Sequence, residues 1–224
     1  MYLLQKNSCY TLATAVAALA LASATNAALI DDFNDSPSMI VASDAVGGIP
    51  TGDAGPEASA IGGFRQMTAL YGTGDLGTIG IAGGGILQYA NSPTSAGTLE
   101  IIYGTGGALN ADLTDGGLST GFVFTIEFAD HPVDYSIQFN SSSGPIAPLS
   151  GTFPANINST QNIFIAFGVG DYTDVDSIFL TLSPNNGVLG ADLTISSIGT
   201  GVPEPTSLAL MALGAAAMLR RRRA

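Results

Sequence analysis

The chain has 224 residues, of which 46% are apolar and 11% charged, enough for one domain of ordinary size rather than two. Lys and Arg number 6 against 18 Asp and Glu, a formal net charge of -12 at pH 7, which excludes a basic nucleic-acid binder because phosphate is repelled rather than gripped. The cations lie almost entirely at the ends, as Lys6 and the run Arg220 to Arg223. Arg65 stands alone among the 17 acids of residues 28–202.

At the amino end, Lys6 supplies positive charge, Tyr10 to Ala24 is a short apolar run, and Thr25-Asn26-Ala27 places small residues at a cleavage position. The pattern predicts a signal peptide over 1–27, helical in its apolar part, with cleavage between Ala27 and Ala28. The run falls short of the roughly 20 residues that a membrane span needs, and polar Asp31 and Asp32 follow soon after. Cys9, the sole cysteine, precedes the apolar run, whereas lipid attachment needs a cysteine just after it. The mature chain therefore has no disulfide, no thiol nucleophile and no thiolate metal site.

From residue 28 onward the period is two. Phe122, Phe124, Ile126 and Phe128 alternate with Val123, Thr125 and Glu127, and Val133, Tyr135, Ile137 and Phe139 alternate with Asp134, Ser136 and Gln138. The link Ala129-Asp130-His131-Pro132 predicts a hairpin between them. Further strands are expected at 29–33, 40–43, 64–71, 78–82, 86–89, 99–103, 163–169, 175–182 and 192–198. No helical stripe competes with them. Short strands separated by Gly, Asn, Ser and Pro clusters predict an all-β fold, an antiparallel β-sandwich of jelly-roll type over residues 28–200.

The order of marks along this domain is Leu29-Ile30-Asp31-Asp32-Phe33 at the start, Asp112-Leu113-Thr114 before the Phe122 strand, Asp174-Val175-Asp176 late, and Ala191 to Ile198 at the close. This order resembles the galactose-binding-like jelly rolls, which include many carbohydrate-binding modules. The resemblance implies the fold and leaves the ligand open.

Three apparent catalytic or cofactor motifs have ordinary explanations. Gly72-Thr73-Gly74-Asp75-Leu76-Gly77 spells GxGxxG, but a strand rather than a helix follows, so no helix N-terminus is available for a pyrophosphate and a hairpin loop is expected. His131 is the only histidine, in a tight turn, with no G-x-S-x-G elbow for it to serve. Glu57, Glu100 and Glu127 are the only glutamates of the mature domain, and the last two occupy polar strand positions, as solvated carboxylates do.

The aspartates leave two readings open, a solvated acidic surface or a structural calcium ion. Asp31 and Asp32 on the first strand, with Asp192 on the last, are the candidate metal ligands, supported by Asp112, Asp115, Asp171, Asp174 and Asp176. A sugar-stacking platform would fall to Tyr71, Tyr89, Tyr103 and Tyr172, since there is no Trp and Tyr135 takes a core-facing position.

At the carboxyl end, Val202-Pro203-Glu204-Pro205 precedes the apolar run Thr206 to Leu219 and then Arg220, Arg221, Arg222 and Arg223. These parts in this order resemble the PEP-CTERM sorting tail, over 201–224. Pro203 and Pro205 keep the approach extended, the Ala/Leu/Met run favours a transmembrane helix over 206–219, and the arginines fix a cytoplasmic end. Fourteen helical residues rise only ~21 Å against a hydrocarbon core of roughly 30 Å, a gap that snorkelling arginines narrow. The resemblance implies a Gram-negative envelope route: passage through the inner membrane, recognition by an exosortase, and removal of the helix. The expectation is a non-enzymatic protein of the cell surface or extracellular matrix with a structural or adhesive role; the alternative is a module that binds extracellular polysaccharide.

Overall fold

Residues 28–42, 52–73, 77–104 and 109–202 are described in the computed structural model, the side chains of 52–55, 71, 73, 78 and 79 excepted. Among them thirteen strands run in chain order: β1 (Leu29–Asp31), β2 (Ser38–Ala42), β3 (Gly52–Pro56), β4 (Phe64–Thr73), β5 (Thr78–Gly83), β6 (Ile86–Asn91), β7 (Ala96–Tyr103), β8 (Gly121–Ala129), β9 (Val133–Ser141), β10 (Leu149–Phe153), β11 (Gln161–Ala166), β12 (Val175–Pro184) and β13 (Asp192–Gly201). Two short 3-10 turns, Ile61–Gly63 and Asn185–Gly187, are the only helical pieces among the described residues. None of their helices is long and apolar enough to cross a membrane. The expected signal helix, the 206–219 helix and the arginine cluster lie outside the described residues.

The strands form two antiparallel sheets. One has seven strands in the order β11-β8-β13-β6-β5-β2, with β1 added against β13; the other has six, β10-β9-β12-β7-β4-β3. Alternation explains the layering: β7 reads buried at every second residue, and Leu99, Ile101 and Tyr103 turn inward while Thr98, Glu100 and Ile102 turn outward. Inward residues of both sheets interleave as an aromatic cluster. Phe122 stacks on Phe139 at 5.7 Å, Phe124 lies 5.2 Å from Phe153, and Tyr135 lies 4.7 Å from Phe153.

Two local expectations need correction. β8 and β9 are not a hairpin: β8 pairs with β11 and β13, and β9 with β10 and β12. The link 129–132 carries the chain from one sheet to the other, because both strands alternate around one core and their apolar faces meet across it rather than side by side. Likewise the GxGxxG segment does not close a hairpin, since β4 belongs to the six-stranded sheet and β5 to the seven-stranded one. The hairpin follows it, at β5–β6, where Gly84 (φ 63°) and Gly85 (φ 87°) supply two successive left-handed residues.

Candidate functional site

Asp31 is buried completely, and protein donors engage both of its carboxylate oxygens. One carboxylate oxygen accepts from Arg65 Nη1 at 2.7 Å and from the Tyr103 hydroxyl at 3.0 Å; the other accepts from the Phe33 backbone N–H at 2.8 Å and the Ser59 hydroxyl at 3.1 Å. The cation for this carboxylate is Arg65 itself. Arg65 comes from β4 of the six-stranded sheet and Asp31 from β1 of the seven-stranded one, so the pair ties the two layers together. The guanidinium also lies over the Phe33 ring at 5.4 Å, with Glu57 3.8 Å from Nη2 and Asp35 3.9 Å from Nη1. Burial alone would lower the Arg65 pKa, but the Asp31 carboxylate outweighs it and raises the value. Burial pushes the Tyr103 hydroxyl well up, and neighbouring Asp31 adds to that.

Asp32 turns to the next residues and accepts from the Asn34 backbone N–H at 3.1 Å. Asp192 sits at the opposite end of β13 from the β1 pairing, which joins Asp31 to Ile198. Six residues of strand separate them by about 20 Å, so they share no ion. Asp192 instead accepts from the Asn91 N–H at 3.1 Å beside Asp130, and burial, then repulsion from Asp130, raises its pKa. Among the described residues no group of three or more His, Cys, Asp or Glu side chains is placed to hold a metal. The Asp31/Asp32/Asp192 calcium set therefore does not fit.

Three of the four candidate tyrosines, Tyr89, Tyr103 and Tyr172, are also interior. Tyr89 is fully buried and donates to the Gly97 carbonyl at 2.6 Å; Tyr103 serves Asp31; Tyr172 stacks on Phe167 at 4.3 Å and accepts from the Gly168 N–H at 3.1 Å. None of these three offers a ring face to a sugar. Tyr71 belongs to β4 by its backbone, and its side chain is not described.

What faces outward with usable chemistry is the outer side of the six-stranded sheet. Register places Thr68, Glu100, Thr181, Ser136 and Ser150 in one row across β4, β7, β12, β9 and β10. Gln66, Ile102, Phe179 and Gln138 form the next row. Hydroxyls and amides thus surround one aromatic ring and one carboxylate, whose pKa burial raises. Such a surface can hydrogen-bond a polyhydroxylated chain and pack against its apolar ring faces. The ring on this face is Phe179 rather than a tyrosine, and the strand register, which the sequence does not show before pairing, assembles the two rows.

Ala28 and Val202 bracket the sandwich: the Ala28 carbonyl accepts from the Thr200 N–H at 2.8 Å, and Val202 follows the last residue of β13. Ala27, Pro203, Glu204, Pro205 and Arg220 to Arg223 lie outside the described residues.

The family model of the PEP-CTERM protein-sorting motif matches residues 201–223. No curated protein matches the chain. Among solved structures, the chain is similar to the family 11 carbohydrate-binding module from Clostridium thermocellum in complex with a beta-1,3-1,4-mixed-linked tetrasaccharide, with 16% identity over 82% of this chain and 100% of that one and a TM-score of 0.41. It is similar to a variant of a family 29 carbohydrate-binding module at 10% identity, 61% and 93% coverage and a TM-score of 0.36. An agarase shares 10% identity over 60% of this chain and 22% of its own, with a TM-score of 0.40.

Proposed function

We propose that this chain is a non-enzymatic, structural or adhesive protein of the cell surface or extracellular matrix, cut at Ala27-Ala28 on export and released from its membrane tail by an exosortase. The observation that carries this reading is the sorting motif over 201–223, which marks the chain for export and exosortase-dependent sorting. Glu100 and Glu127 lie on the outer faces of opposite sheets, so these two carboxylates cannot together flank one glycosidic bond. Mass spectrometry of protein recovered from the outer surface tests the route. The expected species begins Ala28-Leu29-Ile30 and lacks 206–224; a surface species retaining both ends contradicts it.

The rows around Phe179 favour a second reading, a module binding extracellular polysaccharide through the outer side of the six-stranded sheet. A glycan array probed with the full chain and with Phe179→Ala separates the two. Binding that Phe179→Ala abolishes selects the module, and an array without signal leaves the structural role.

A further inference from the structure

The end of β13 constrains whatever reads the tail. Gly201 is still paired with Gly121, and its carbonyl accepts from the Thr120 N–H at 2.8 Å. The Thr120 carbonyl in turn accepts from the Phe167 N–H at 2.9 Å. Only Val202 separates this paired residue from Pro203. At no more than ~3.6 Å per residue, Glu204 Cα lies within about 11 Å of Gly201 Cα. An enzyme that handles the Pro203-Glu204-Pro205 segment therefore works within about 11 Å of chain from the end of β13.

That pole has a particular chemistry. Two loops, 109–120 and 167–174, flank the exit and are joined to it by the hydrogen bonds above. They are joined to each other by the Leu113 N–H donating to the Tyr172 carbonyl at 2.9 Å. Each carries a large apolar side chain directed to solvent, Leu118 at 56% exposure two residues before Thr120 and Val169 at 87% two residues after Phe167. Each also carries two carboxylates, Asp112 and Asp115 on the first and Asp171 and Asp174 on the second, and neither carries a Lys, Arg or His. The loops are held in shape by hydrogen bonds: Asp112 accepts from the Thr114 and Gly116 N–H groups, Asp171 from that of Thr173, and Asp174 from the hydroxyl of Ser142, just beyond β9. Hydrogen-bonded loops that hold Leu118 and Val169 in water keep both apolar side chains available to a partner at little ordering cost.

Resting on the sorting reading above, we infer that this pole, whose two joined loops carry exposed Leu118 and Val169 together with four carboxylates, docks on the processing enzyme itself, against a surface that offers both apolar and cationic groups. Continuity with the motif selects the enzyme as occupant. The carboxylates argue against lipid, since they would be pressed against phosphate-bearing headgroups.

The test uses the full chain in a host with a tagged exosortase. The double variant Leu118→Ser, Val169→Ser should keep the parent's unfolding midpoint yet lose its tail at least about fivefold more slowly. A photo-crosslinking residue at 118 or 169 should give an adduct with the tagged enzyme. Equal processing rates, an adduct with lipid only, or no adduct overturns the inference. If the parent itself keeps its tail, it is the sorting reading that has failed.

Discussion

Arg65 is the residue on which most of the interior electrostatics turns. A sole cation amid 17 acids is legible in the sequence as an anomaly, and the structure gives its meaning: it neutralises a carboxylate that burial would otherwise forbid. The sequence leaves Asp31 open between a solvated surface and a calcium ion, because Arg65 arrives from another strand 34 positions away. Replacing Arg65 by Met leaves Asp31 uncompensated and should cost about 3–5 kcal/mol, read from urea unfolding. Asp192 predicts a pH effect of definite sign. Its folded pKa is raised, so its contribution to stability is fully present below the unfolded value near 4 and is lost as pH rises through the folded pKa. Asp192→Asn should therefore melt above the parent at pH 7, and the advantage should vanish at pH 3. A difference unchanged between the two pH values would contradict this origin.

At the scale of elements, strands with strict alternation were legible and strands without it were not. β7, β8, β9, β12 and β13 stand close to where their periodicity placed them. β3 (Gly52–Pro56) and β10 (Leu149–Phe153) went unforeseen, because each is five residues long, contains Gly, and lies at a sheet edge where one neighbour is enough. Pairing was less legible than strand existence. The four-residue link 129–132 fits a hairpin and a sheet-to-sheet crossing equally, and only the facing aromatic rings of β8 and β9 decide it. Gly121 shows how close the pairing is: a Cβ there would lie 2.3 Å from the Ile165 carbonyl oxygen. Gly121→Ala should cost about 1–3 kcal/mol through displacement of β11, measurable as a lower denaturant midpoint with the same m-value.

For the whole molecule, the destination is written more plainly than the activity. The sorting motif is a local, ordered string that needs no tertiary contact to be recognised, whereas the candidate binding face exists only once five strands align Thr68, Glu100, Thr181, Ser136 and Ser150. The sandwich packs its core within residues 30–198, so changes in the motif should leave it intact. The most direct measurement is an intact-mass comparison of membrane and surface fractions for the parent and Glu204→Ala in an exosortase-positive host. The account predicts that the parent is recovered from the surface without its tail, and that Glu204→Ala unfolds at the parent's midpoint but keeps residues 206–224 and accumulates in the membrane. Tail loss by Glu204→Ala as efficient as the parent's would contradict it.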